Sequence, residues 1–307
     1  MTTPAVGDRT DQRCAFAAER RGDPMSGTAA PARGMLLVEQ PGPWGRQALV
    51  QSRLDRDVGA ALGARANAAA LRVLLIRRPG RREQAAVGTP RRWALVDSRP
   101  GHEVTRWGRF VDDADLLGLP LDGSAGAPSY EPFYLVCTHG RHDACCAIRG
   151  RPVAAALARS RPGAVWECSH LGGDRFAANL VVLPHGLYYG RVSPQTAPQV
   201  AAAHERGEVV VPLLRGRTVF SPVVQAAQQH ARLTLGRLAV EALPPRRTEP
   251  LGQGRWRVTL ADGPDELVLD VTSVVAGEAA LLTCAATHPA HPPGFLVSPA
   301  VGEGSRT

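Results

Sequence analysis

The stretch that decides the fold runs from Phe133 to Cys146, FYLVCTHGRHDACC, and is answered from Ala164 to Phe176 by AVWECSHLGGDRF. In each, a short apolar run of strand length (Phe133 to Val136, Ala164 to Cys168) empties into a loop of Cys, His and Asp. Loops at strand ends are where α/β layers place function. Cys137 and Cys146 stand nine residues apart, and His170 follows on the second loop. Two soft thiolates and an imidazole brought together in this way suit iron or zinc.

Four of the six cysteines fall between positions 137 and 168, interleaved with His139, His142 and His170, whereas Cys14 and Cys284 stand alone and are read as structural. A disulfide framework is not expected, since the chain is long enough to build a core without staples. Met1 to Arg33 carries no apolar run of signal-peptide length after a basic stretch. No segment approaches the roughly 20 apolar residues that span a bilayer. The expectation is a cytoplasmic protein with no membrane partner, in which clustered Cys and His bind metal rather than oxidise.

All 36 basic residues are arginine, and the formal net charge is +8. The absence of lysine excludes Schiff-base, P-loop and kinase-type lysine chemistry. No G-x-G-x-x-G or G-x-S-x-G run is present, so common nucleotide-binding enzymes and serine hydrolases are not indicated. The arginines are scattered; the densest run, Arg77 to Arg82 with Arg91 and Arg92, reads as a solvated loop between strands. No nucleic-acid partner is expected. Such a surface can steer an acidic redox partner.

Working outward, Gly34 to Glu39 reads as a strand, Gln40 to Gly45 as a turn, Ser52 to Arg65 as a helix on Leu54, Val58, Ala61 and Leu62, and Leu71 to Ile76 and Trp93 to Val96 as strands. Further on, Pro152 to Arg161 reads as a helix with Pro152 in its first turn, and Asn179 to Leu183 with Leu187 to Val192 as a hairpin. Ala197 to Arg206 and Pro222 to Leu235 read as helices. Trp256 to Leu260 and Glu266 to Val271 alternate with period two about Asp262-Gly263-Pro264-Asp265, which predicts an antiparallel hairpin. The fold class is α/β: a thioredoxin-like layer whose element order the first third repeats, with a small C-terminal β appendage. That the repeat is a duplication is not visible in the residues themselves. The divisions read are 1–13 as a disordered start, 14–130 as an N-terminal α/β segment, 131–235 as the cluster domain, 236–295 as the β appendage, and 296–307 as a disordered tail.

Cys137-Thr138-His139-Gly140, Asp143, Cys146, the run Ser169-His170-Leu171-Gly172-Gly173-Asp174-Arg175-Phe176-Ala177-Ala178-Asn179, and Leu187-Tyr188-Tyr189-Gly190-Arg191 together resemble the sucrase/ferredoxin-like family. Upstream, Gly27-Thr28-Ala29 and the run Leu37 to Gly45 resemble its first segment, so the likeness covers about Cys14 to about Gln228. The resemblance implies a thioredoxin-like ferredoxin fold and a [2Fe–2S] cluster held by two cysteines of the first loop and two histidines, H-x-x-x-H, of the second. Cys137, Cys146 and His170 match those positions, and Asp174 stands where the second histidine is expected. A carboxylate is a harder donor than imidazole, yet acceptable to Fe(III). Cys168 is an alternative to Asp174, and Cys145 to Cys146. Gly172 and Gly173 either let the backbone approach the cluster or form a plain turn.

The function so implied is electron transfer to or from a redox partner protein. Two other classes stand beside it. One is a structural zinc module on Cys137, Cys145 or Cys146, Cys168 and His170. The other is a thiol oxidoreductase, for which the chain lacks a C-x-x-C motif. The word sucrase carries no expectation of glycoside hydrolysis, because Asp112, Asp113 and Asp115 read as one solvated acidic loop rather than as carboxylates facing across a sugar. His139 and His142 read as surface or supporting residues, His185 and His204 as exposed, and Tyr188 and Tyr189 as alternating between core and surface.

Overall fold

In the computed structural model, which describes residues 13–80 and 88–300, the chain enters through helix α1 (Cys14–Arg21), closed by Gly22, and then forms β1 (Gly34–Glu39). A short helix α2 (Ala48–Gln51) leads to α3 (Arg56–Ala68), whose start is capped by the Asp55 carboxylate accepting from the N–H groups of Asp57 and Val58. Strands β2 (Leu71–Arg77), β3 (Arg91–Asp97), β4 (Val104–Phe110) and β5 (Ala127–Ser129) follow. The middle of the chain gives β6 (Phe133–Cys137), α4 (Ala144–Ser160), β7 (Val165–Cys168), β8 (Leu180–Leu183), β9 (Leu187–Tyr189), α5 (Ala197–Glu205) and β10 (Leu214–Arg217). Helix α6 (Pro222–Leu235) then leads into β11 (Pro245–Gly252), β12 (Arg255–Asp262), β13 (Asp265–Val275) and β14 (Pro293–Pro299).

Ten strands form one sheet in the order β10-β9-β8-β6-β7-β2-β1-β3-β4-β5. Its two inner halves repeat one another. β1 is parallel to β2 and antiparallel to β3, which pairs antiparallel with β4; β6 is parallel to β7 and antiparallel to β8, which pairs antiparallel with β9. The halves join tail to tail where Ile76 and Arg77 of β2 meet Cys168 and Glu167 of β7. The duplication that the residues alone do not establish is thus a repeat of topology.

The apolar alternation of the central strands places their side chains in distinct clusters. Tyr134 and Val136 pack with Val153 and Leu157 of α4 and Val200 of α5, while Leu36 and Val38 pack with Val58 and Leu62 of α3. A third cluster crosses the junction, joining Met35, Leu37, Leu74 and Ile76 of the first half to Leu135, Cys137, Trp166 and Cys168 of the second. Tyr188 and Tyr189 are both fully buried, in different clusters, so the expected alternation is between two cores.

The C-terminal sheet, β11-β12-β13-β14, is antiparallel throughout and contains the expected hairpin. Val224, Ala227 and Ala231 of α6 pack on its Val258, Leu260, Leu269 and Val271, so α6 belongs with this sheet, on the far side of the boundary read at residue 235. Strand β14 takes in residues 296–299, which the sequence reading assigns to the tail. The rest of that tail beyond Ala300, the start before Arg13, and Arg81 and Arg82 lie outside the described residues. Helix α4 starts at Ala144, with Pro152 in its interior. The start signal is the side chain of Asp143, which accepts from the Cys145 N–H at 2.8 Å, and not the proline. Among the described residues no helix is long and apolar enough to cross a membrane.

Candidate metal centre

Three pieces of the second half converge. Cys137 ends β6, Cys146 sits in the first turn of α4, and His170 follows β7, with Asp174 opening a 3-10 turn four residues on. The helix lies hard against the strand because residue 150 is glycine; a Cβ there would overlap the Cys137 carbonyl oxygen. One ligand atom each from Cys137, Cys146 and His170 lie within 4.8 Å of one another. The Cys146 thiol donates to Asp174 Oδ1 at 3.2 Å, and His170 Nδ1 lies 3.0 Å from the same oxygen. Both cysteines and Asp174 are buried, while the side chains of His170 and His142 are 25% and 35% exposed, so the centre meets solvent along its imidazole edge.

The charges in this group are set by its own hydrogen bonds and by burial. Cys137 is held well below the usual thiol range, first by the hydrogen bond from Cys146 and then, against the effect of burial, by His170. Cys146 is pushed up by the same hydrogen bond and by burial. Burial works against a charged His170, but the Asp174 carboxylate and the Cys137 thiolate hold it up at about 9. Asp174 is lowered despite its burial because His170 faces it.

A profile of the sucrase/ferredoxin-like family matches residues 25–216, well over half of the chain. The chain belongs to that family. No curated protein matches it. Among solved structures it is similar to the wild-type thioredoxin-like [2Fe–2S] ferredoxin from Aquifex aeolicus, at 21% identity over 28% of this chain and 97% of that one, with a TM-score of 0.25. It is also similar to a cysteine-to-serine variant of the same ferredoxin, at 20% identity over 27% of this chain and 97% of that one, with a TM-score of 0.25.

In this sucrase/ferredoxin-like chain the first half braces the two Cys/His loops of the second. Ser169 exchanges hydrogen bonds with Leu75 of β2, its N–H donating to the Leu75 carbonyl at 2.8 Å and its Oγ accepting from the Leu75 N–H at 3.0 Å. Arg72 of β2 donates to the Leu171 carbonyl and to Tyr188 Oη. From the loop after β1, the Gly45 carbonyl accepts from His139 Nε2 at 2.6 Å, with Trp44 edge-on to the His139 ring. His139 is therefore a buried brace, and burial lowers its pKa. Beside the centre a cleft of about 490 Å³ is lined by Arg46, Leu49, Val73, His142, Ser169 and His170.

Gly172 and Gly173 both take left-handed backbone, and a Cβ on Gly173 would run into the Arg215 guanidinium. The Gly172 carbonyl accepts from Arg215 and the Gly173 carbonyl from Asn179, so this pair forms a locked turn between His170 and Asp174. Arg215 is fully buried and also donates to Asn179 Oδ1, to Thr28 Oγ1 and to the Thr28 carbonyl; burial lowers its pKa to about 10.

Cys168 is buried in the core cluster that crosses the junction, and burial pushes its thiol up. It joins no candidate ligand group among the described residues. Cys145 turns away from Cys137 toward Cys14 and Cys284, so the two cysteines read as solitary are brought together. Asp112, Asp113 and Asp115 lie at a 3-10 turn: Asp112 and Asp115 cap it, and Asp113 pairs with Arg91. His204 is buried and its Nε2 lies 3.1 Å from His185 Nδ1, against the exposed roles read for both.

Sequence reading gave His142 a surface or supporting role and passed over Arg215. His142 stacks on His170 with ring centroids 3.8 Å apart, and its Nε2 lies 3.8 Å from Asp174 Oδ2 while its Nδ1 lies 3.3 Å from the Arg46 carbonyl. Its position in the same loop as Cys137 and Cys146 was the available signal. Arg215 carried none, because its partners Asn179, Gly172 and Thr28 lie 36, 43 and 187 residues away in the chain.

Proposed function

We propose that this chain is an electron carrier that holds a [2Fe–2S] cluster on Cys137, Cys146, His170 and Asp174, working in the cytoplasm with an acidic partner protein. The observation that carries this reading is the convergence of two buried thiols and a histidine from three separate elements. Binding takes protons from Cys146 and from His170, whose charged form Asp174 and Cys137 favour. When bound, the cluster supplies a one-electron couple.

The chain's own residues set that couple. Thiolates balance ferric charge, and a neutral imidazole in place of a thiolate raises the potential. The locked Gly172-Gly173 turn holds His170 and Asp174 at fixed spacing, so little rearrangement accompanies a change of charge. The half-exposed His142 and His170 face the cleft and give the shortest path to a partner. The exposed Arg46 and Arg141 beside them suit an acidic docking surface.

A single zinc ion on the same donors is the second reading. One observation favours it: ligand atoms within 4.8 Å of one another span a distance that a mononuclear tetrahedral site also needs. Protein purified without oxygen decides between them by visible absorption with iron, acid-labile sulfide and zinc analysis. Red-brown protein with about two irons and two sulfides per chain, bleached by dithionite, supports the cluster. Colourless protein whose zinc is lost on Cys137→Ala supports zinc there.

A further inference from the structure

Cys14, Cys145 and Cys284 form a triangle of sulfurs with edges of 3.7, 3.5 and 3.5 Å, and Asp143 Oδ2 lies 3.5 Å from Cys14 Sγ. These separations are far beyond the roughly 2.05 Å of a disulfide. A tetrahedral zinc with bonds of about 2.3 Å to sulfur sets its donors about 3.8 Å apart, close to every edge of this group. We propose that Cys14, Asp143, Cys145 and Cys284 bind one zinc ion, at a site separate from the Cys137–His170 centre.

The route of the chain supports this. Cys14 opens α1, Cys145 lies in the first turn of α4, and Cys284 sits in the segment 276–292 between β13 and β14; the pairs are 131, 139 and 270 residues apart. Segment 276–292 has no helix or strand of its own, yet it sets Cys284 against α4. Apolar packing does not account for that approach. Among the described residues only Ala15 and Ala177 share the cluster with Cys14 and Cys145, and Cys284 is exposed. The Asp143 carboxylate orders the group by accepting from the N–H groups of Cys145 and Cys284, at 2.8 and 2.7 Å. Each of its oxygens keeps a lone pair for the ion, and each thiol that binds gives up its proton to solvent. Three buried donors and one exposed one leave an open side through which an ion enters.

With zinc in place, the start of the described chain and the C-terminal segment are both fastened to the helix that carries Cys146. The side chains of Cys145 and Cys146 serve different groups, so the two sites can be emptied independently.

The test is metal analysis of the full chain, purified without oxygen, as wild type, Cys284→Ala, Cys14→Ala and Cys137→Ala. The expected result is about one zinc per wild-type chain, lost from Cys284→Ala and Cys14→Ala and kept by Cys137→Ala. Cys284→Ala changes an exposed side chain, so its fold is expected to survive. Cobalt(II) substituted for zinc should give thiolate-to-cobalt charge-transfer absorption that Cys284→Ala lacks. The proposal is overturned by wild-type protein without zinc, by zinc unchanged in Cys284→Ala, or by a disulfide joining two of the three cysteines. Zinc lost from Cys137→Ala but kept by Cys284→Ala also overturns it, and assigns that ion to the other centre.

Discussion

Cys145 and Cys146 are neighbours in sequence and serve different groups: the Cys146 thiol donates to Asp174 at 3.2 Å, while Cys145 Sγ lies 3.7 Å from that of Cys14. The turn of roughly 100° per helical residue separates them, and the Asp143 cap fixes where that helix begins.

Cys146→Ser should therefore abolish iron binding, and Cys145→Ser should leave the iron and sulfide content and the visible spectrum at wild-type levels. Iron analysis and absorption on the two variants, purified side by side, check this. The opposite pattern would move the ligand to Cys145.

Asp174→Ala should keep iron but change the visible and paramagnetic spectra, because a carboxylate leaves the set while His142 Nε2 stands beside the gap. Unchanged spectra would remove Asp174 from the ligands. His142→Ala in the Asp174→Ala background should then lose the iron.

Gly150→Ala puts a methyl group into the Cys137 carbonyl. Helix α4 must shift, at a cost of about 1–3 kcal/mol, and the shift separates Cys146 from Cys137. Urea denaturation should report the lower midpoint and iron analysis the loss of metal; full stability with full iron would show that the approach of α4 to β6 is not needed.

Arg215→Met leaves acceptors at Gly172, Thr28 and Asn179 without their donor in the core. A destabilisation of about 3 kcal/mol or more is expected, seen as a lower urea midpoint at unchanged slope. A loss below about 1 kcal/mol, the net worth of a single hydrogen bond, would contradict the structural role.

His204 is held down at about 4, by burial first and then by the facing His185 ring. The unfolded chain protonates this side chain near 6.5. Its contribution is thus fully present above about pH 6.5 and is lost as pH falls toward 4, by up to about 3 kcal/mol. His204→Gln should flatten the acid limb of the stability curve, and parallel limbs in variant and wild type would refute the assignment.

Much of the fold was legible because the strands around the centre are short apolar runs bounded by turn residues; β1, β2, β6 and β7 fall within one residue of the runs read in the sequence. Strand β4, VTRWGRF, was not, since its arginines and glycine hide a paired strand behind a polar pattern. Cys137, Cys146 and His170 could be read together because strand ends on one layer bring nearby loops into contact. Cys14 and Cys284 could not, because no local pattern reports a contact 270 residues apart. The capping role of Asp143 was masked by Pro152, a stronger start signal in composition that lies within the helix.

The most direct test of the central claim is pulsed electron paramagnetic resonance on the dithionite-reduced protein. The account predicts the signal of one reduced [2Fe–2S] cluster per chain with strong coupling to a directly bound imidazole nitrogen, which disappears in His170→Ala. A protein without an iron signal, or one whose reduced cluster shows no bound nitrogen, would contradict it.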